Sequence, residues 1–174
     1  YETFTDNGSI KSVVIPEGVV SIGDRAFADC AALEEVTIPN GVEAIGESAF
    51  FGCKALTEVN IPDGVRSIGE GAFEGCDELE AVYITDSVEE IGDWAFSGCE
   101  SVEIVCPEDS AAWEFAEDND IDVCADDSER KTKKNRTKIP FKSDSETPFA
   151  YCSYAHEDRD IVFPIMTRLH NMGY

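Results

Sequence analysis

Apolar residues along the first two thirds of the chain recur with a fixed period of 23. Ile15, Ile38, Ile61 and Ile84 keep it, as do Ile22, Ile45, Ile68 and Ile91, each followed by glycine. So do Ala26, Ala49, Ala72 and Ala95, and the adjacent Phe27, Phe50, Phe73 and Phe96. Cys30, Cys53, Cys76 and Cys99 continue the pattern, with Leu33, Leu56, Leu79 and Val102 closing it. The unit reads V-x-I-P-x-G-V-x-x-I-G-x-x-A-F-x-x-C-x-x-L. A long fixed period of this kind marks a repeat architecture, which must be read before individual elements.

Each unit predicts the same local structure. Val-x-Ile is a short strand with both apolar side chains on one face, because strand side chains alternate. Pro16, Pro39 and Pro62 end it, since proline has no N–H for a sheet ladder. Gly18, Gly41 and Gly64 permit the turn that follows. Ile-Gly-x-x-Ala-Phe is too short for a long helix and predicts one helical or 3₁₀ turn. One unit cannot cover its own apolar face, so the units must stack into a continuous core. In the fourth unit Thr85-Asp86-Ser87 stands in place of Pro-x-Gly, which predicts a looser turn.

This pattern closely resembles the BspA-like class of leucine-rich repeats over about residues 10–127. The resemblance implies a right-handed solenoid with a strand ladder on one face. A fifth, partial unit aligns Val105 with Val82 and leaves Pro107 where isoleucine is expected. Residues 109–117 then predict a short helix, N-capped by Asp109 or Ser110. Trp113 or Phe115, together with Ala116, would cover the open end of the core. Ile121-Asp122-Val123 alternates like a last strand. A helix and strand of this kind are the cap that a repeat array needs, so the solenoid is assigned to 1–127 with its cap at 108–127.

With the strand positions in hand, the outward side chains form two columns. One is Val14, Thr37, Asn60, Tyr83 and Cys106. The other is Ser12, Glu35, Glu58, Ala81 and Ile104. Glu35, Thr37, Glu58, Asn60 and Tyr83 are therefore the candidate contacts for a protein ligand.

Charge divides the 174 residues further. Residues 1–127 carry 31 acidic and 4 basic residues, and 128–148 carry 3 and 7. The acidic body repels phosphate backbones and anionic lipid, so neither nucleic acid nor membrane is an expected partner of the solenoid. Residues 128–148 lack an apolar period and read as a basic flexible linker. Its cationic cluster has the composition of a nucleic-acid patch or localisation signal, though a solvated tether is the plainer reading. No run is long and apolar enough for a transmembrane helix.

The four cysteines at one repeat position predict a stack of small buried thiols. Parallel stacked side chains rarely meet disulfide geometry. Neither C-x-x-C spacing nor convergent histidines mark a zinc site. The acidic spacing from Asp118 to Glu129 imitates a calcium loop, but Val123 stands where the sharp turn needs glycine. No metal is expected. An odd cysteine count of 7 favours a reducing compartment, so the expected localisation is cytoplasmic. A secretion signal before Tyr1 would instead place the protein at the cell surface.

After Pro148 the pattern changes. Phe149-Ala150-Tyr151-Cys152-Ser153-Tyr154 reads as a strand and Ala155-His156-Glu157-Asp158 as a polar turn. Ile161, Val162, Ile165, Met166, Leu169 and Met172 follow helical spacing. Ser153-Tyr154, Asp158 and Gly173-Tyr174 resemble the opening of a Toll/interleukin-1 receptor (TIR) domain, which implies a flavodoxin-like fold. Only the first strand and helix of such a domain fall within 149–174. Bacterial members of that family often hydrolyse NAD, and animal members signal by self-association. The resemblance carries over only Ser153, Tyr154 and Asp158, as one wall of a nucleotide pocket. The family's catalytic glutamate lies on a later helix, so this chain is expected to bind rather than catalyse. No catalytic residue and no cofactor are assigned to it, NAD being reserved for a complete parent. The expected whole is a repeat sensor or scaffold coupled to a TIR signalling or effector domain. The alternatives are a fragment of an NAD hydrolase in bacterial defence or stress, and a surface adhesin.

Overall fold

A computed structural model of the chain describes residues 4–125. The linker at 128–148, the TIR-like stretch at 149–174 and the candidates Ser153, Tyr154 and Asp158 lie outside those residues.

Each repeat makes one coil of a parallel-strand solenoid with three walls. The first wall holds β1 (Ser12–Val14), β3 (Glu35–Thr37), β5 (Glu58–Ile61), β7 (Ala81–Ile84) and β9 (Glu103–Val105). The second holds β2 (Ser21–Ile22), β4 (Ala44–Ile45), β6 (Ser67–Ile68) and β8 (Glu90–Ile91), all paired in parallel with neighbours one repeat away. A proline or a glycine closely follows every one of these strands except β7, after which Thr85-Asp86-Ser87 stands, and this keeps them short.

The third wall corrects an expectation. Residues 23–33 and their equivalents form a ribbon of turns and not a helical turn. Two positions per coil have left-handed backbone: Arg25 and Asp29, Ser48 and Gly52, Gly71 and Gly75, Trp94 and Gly98. A helix needs an unbroken run of right-handed residues, so this alternation prevents one. Alternate amide groups bond sideways to the next coil, and those between them close turns within the coil, as from Ala26 to the Gly23 carbonyl and Ala28 to the Arg25 carbonyl at 3.2 Å. Phe27, Phe50 and Phe73 donate to the carbonyls of Ala49, Ala72 and Ala95, each at 2.8 Å. Part of the backbone satisfaction thus comes from stacking, which no single repeat supplies.

The core is a set of columns. Phe4, Phe27, Phe50, Phe73 and Phe96 stack with ring centroids 5.2–5.5 Å apart and nearly parallel planes. Phe4 extends the column one coil earlier than the 23-residue pattern was traced. Beside it run the thiols. Cys30, Cys53, Cys76 and Cys99 are free and buried. Each donates to the phenylalanine carbonyl of the preceding coil (Phe4, Phe27, Phe50 and Phe73) at 3.1–3.3 Å. The thiol therefore gives a buried carbonyl a partner, which an apolar side chain of the same size cannot do. Burial holds the Cys53 thiol above its ordinary 9.0, at about 12. Burial also raises Cys30.

The cap follows the expectation closely. Helix α1 spans Ala111–Asp118. Ser110 is the N-cap, its hydroxyl accepting from the Trp113 amide at 3.2 Å. Ala112 and Ala116 are buried. Phe115 meets Phe96 edge-on, with centroids 6.1 Å apart. The phenylalanine stack thus ends on a ring turned across it, and β10 (Asp122–Cys124) closes the first wall beside β9.

The fifth coil corrects the register. Val82 pairs with Ile104, and Tyr83 with Val105. The offset here is 22 and not 23, because one residue is missing between Val102 and the strand. A one-residue slip exchanges the two faces of a strand. Ile104 and Cys106 therefore belong to the core cluster and not to the outward columns, where Glu103 and Val105 take their places. Pro107 then falls in the proline column, and Asp109, with φ 61°, takes the left-handed place of Gly18 and Gly64.

The fourth unit's turn is not looser than the rest. The Ser87 hydroxyl accepts from the Gly64 amide at 3.3 Å and donates to the Val65 carbonyl at 2.9 Å. Side-chain hydrogen bonds stand in for the Pro-x-Gly chemistry.

Candidate interaction surface

The first wall is not a continuous sheet. β1 pairs with β3, and β5, β7, β9 and β10 form a second ladder. Between β3 and β5 the hydrogen-bonded ladder is interrupted. Glu35 and Glu58 occupy the same repeat position on these two strands. Like charges opposite one another on neighbouring strands disfavour pairing. Elsewhere the same column sets Ser12 against Glu35 and Glu58 against Ala81. The second and third walls cross this step intact, through Gly69 N–H to Ile45 O at 2.8 Å and Phe50 N–H to Ala72 O at 2.8 Å. The result is a local groove and not a break in the solenoid.

That groove has a volume of about 480 Å³ and is lined by Glu34, Glu35, Thr37, Glu58 and Asn60, among others. Four of the five candidate contacts therefore converge, and all four are exposed. Tyr83 does not join them. It is half-buried on β7, opposite Asn60, and lines a separate depression with Asp63, Asp86 and Val105. Further along the wall Ala81, Glu103, Val105 and Cys124 are buried. The accessible part of the face is therefore its N-terminal half, where Val14 is 72% exposed.

Cations do little to offset the acidity. Lys11, Arg25, Lys54 and Arg66 are the basic residues of 1–127. They pair with Glu34, Asp29, Asp77 and Glu89 at 2.9, 3.8, 3.5 and 2.7 Å. These pairs are exposed and screened by water, so they add little to stability. Glu35 and Glu58 are in none of them.

A second depression, of about 400 Å³, lies where the turn wall meets the cap. Its rim carries Trp94, which is 62% exposed. Sequence reasoning passed over this residue because it falls between the apolar columns. The signal available was a tryptophan in a column otherwise filled by Arg25, Ser48 and Gly71.

Stacked parallel coils, buried aliphatic columns and short strands on one wall define a leucine-rich-repeat solenoid. The chain belongs to the BspA type leucine-rich repeat family. The model of the "BspA type Leucine rich repeat region (6 copies)" matches residues 1–114. A search of curated proteins finds no match. Among solved structures, a leucine-rich repeat protein from Bacteroides ovatus is 40% identical with a TM-score of 0.57, over 61% of this chain and 27% of that one. A leucine rich cell surface protein from Faecalibacterium prausnitzii is 28% identical with a TM-score of 0.50, over 62% and 34%. The pneumococcal vaccine antigen PcpA shares the fold at 23% identity and a TM-score of 0.53, over 71% and 37%. The chain thus spans well under half the length of each.

Proposed function

We propose that residues 1–127 are a recognition module that binds a protein ligand through the first wall. Glu35, Thr37, Glu58 and Asn60 form the centre of the contact, and Tyr83 its edge. The observation that carries this reading is the convergence of four exposed side chains from two strands on one groove. Photo-crosslinking residues placed at Thr37 and Asn60 should capture the same partner, while one at Ser21 on the second wall should not. Equal capture from both walls would defeat the reading.

The module is coupled, on this proposal, to a TIR signalling or effector domain that opens at 149–174, behind the basic linker 128–148. Ser153-Tyr154 and Asp158 support it, as the TIR-like opening. TIR–TIR self-association in the parent and a cytoplasmic location go with it. An NAD hydrolase is the enzymatic version, in which Ser153, Tyr154 and Asp158 line one wall of the nucleotide pocket. Purified 1–174 is expected to leave NAD unconsumed, and measurable turnover would show that this chain already holds the catalytic machinery.

A surface location is the second reading, favoured by the F. prausnitzii relative, which is described as a cell surface protein. Labelling intact cells with a membrane-impermeant amine reagent separates the two. A cytoplasmic protein stays unlabelled until lysis.

A further inference from the structure

The depression at the cap has features that the repeat architecture does not require. Its lining includes Phe96 and Phe115, packed edge to face. The exposed indole of Trp94 lines the same depression as Glu100, Asp120 and Asp122. Among the described residues, no lysine, arginine or histidine lines it and none of these carboxylates makes an ion pair.

The backbone adds to this negative field. Asn119 and Asp120 directly follow the C-terminus of α1, whose last turn contains no basic residue. Helix C-termini carry partial negative charge, which cationic side chains ordinarily offset. Here nothing in the helix does so.

Trp94 itself is held against its own preference. Its φ is 58°, a conformation that bulky side chains seldom adopt. Gly71 occupies the same repeat position with the same φ of 58°, so the fold accepts a residue without a side chain there. The indole is neither buried nor needed to make the turn.

We propose that this pocket binds an arginine side chain of a basic partner peptide. The guanidinium plane stacks on the Trp94 indole, and the carboxylates of Glu100, Asp120 and Asp122 accept its N–H groups. An aromatic face attracts a cation through its quadrupole, and a guanidinium both stacks and donates in a planar fork. A neutral ligand would use the indole but leave three carboxylates and a helix C-terminus without a counter-charge. The site lies at the junction of the turn wall and the cap, and it is independent of the groove between β3 and β5.

The test is a titration of the full chain with a tri-arginine peptide, read by tryptophan fluorescence and calorimetry. Its neutral isostere, tri-citrulline, serves as the control. Tri-arginine should bind saturably and about tenfold or more tightly than tri-citrulline. Trp94→Gly should weaken it about tenfold or more while leaving the melting temperature no lower. The double variant Glu100→Gln/Asp120→Asn, which keeps the indole, should weaken it to a similar degree. Equal affinity in wild type and Trp94→Gly would mean diffuse counterion attraction to the acidic body and would overturn the proposal. Equal binding of tri-citrulline would overturn the charge requirement and with it the assignment to arginine.

Discussion

The glycine after the second-wall isoleucine is a steric requirement at Gly46, Gly69 and Gly92, and Gly69→Ala measures it. A Cβ built on Gly69 lies 2.6 Å from the Glu47 nitrogen and 2.6 Å from the Gly46 carbonyl carbon. Ordinary contact begins near 3.4 Å, so the coils must separate by roughly 0.8 Å, the difference of those distances. Both obstructing atoms are backbone and cannot rotate away. The coil is also tied by the Gly69 amide to the Ile45 carbonyl at 2.8 Å. Lifting it by that amount takes the bond beyond the useful range. Overpacking costs about 1–3 kcal/mol, and a lost backbone bond about 1 kcal/mol more. The expected destabilisation is about 3 kcal/mol, or roughly 10 °C in melting temperature for a domain of this size. Gly75→Ala provides the contrast. Its φ is +70° but its nearest neighbours stand at 3.9 Å, so only the left-handed backbone opposes it, at about 1 kcal/mol. Urea unfolding followed by circular dichroism reads both. If Gly75→Ala proves as costly as Gly69→Ala, coil spacing is not what this column controls.

Three further outcomes follow from the same geometry. Phe50→Ala should cost about 3–5 kcal/mol, because Phe50 is fully buried between two stacked rings. Phe4→Ala, at the 44%-exposed end of the column, should cost well under half of that by urea midpoint. Stability should fall as pH rises from about 9 towards 12. Unfolded thiols lose their protons near 9.0, while native Cys53 keeps its own up to about 12, so the native state binds more protons across that window. Urea midpoints of Cys53→Ala between pH 8 and 11 should decline less steeply than those of wild type. An unchanged slope would remove the thiol column from the explanation. Glu35→Gln should stabilise the solenoid by about 0.2–1 kcal/mol at low salt by relieving its repulsion with Glu58. The gain should shrink in 1 M salt, and a salt-independent effect would point away from charge as the cause of the interrupted ladder.

The contrast between sequence and structure is clearest at particular residues. The inward columns were legible because burial imposes an apolar side chain at every repeat, and 23-residue spacing survives as identity at Ile, Ala, Phe, Cys and Leu. The cap was legible for a similar reason. Ser110, Ala112, Phe115 and Ala116 obey helix capping and periodicity, which are local rules. The turn wall was misread as helical because its left-handed residues include Arg25, Ser48 and Trp94, which advertise no such conformation. The fifth coil was misread by one residue because periodicity was carried through a deletion, although Pro107 in the proline column marked it.

The candidate surface divides in the same way. Sequence alone determined that the chain is a stacked BspA-type repeat, and it placed Glu35, Thr37, Glu58 and Asn60 on the outward side of their strands. Alternation along a strand and the demand for a continuous core are enough for that. Only the tertiary structure decided that the ladder parts between β3 and β5, that Tyr83 stands apart, and that Trp94 and carboxylates of the cap line one depression. Those relations join residues from different coils, or from a coil and a helix. They depend on how coils stack and repel, which no periodicity within one strand encodes.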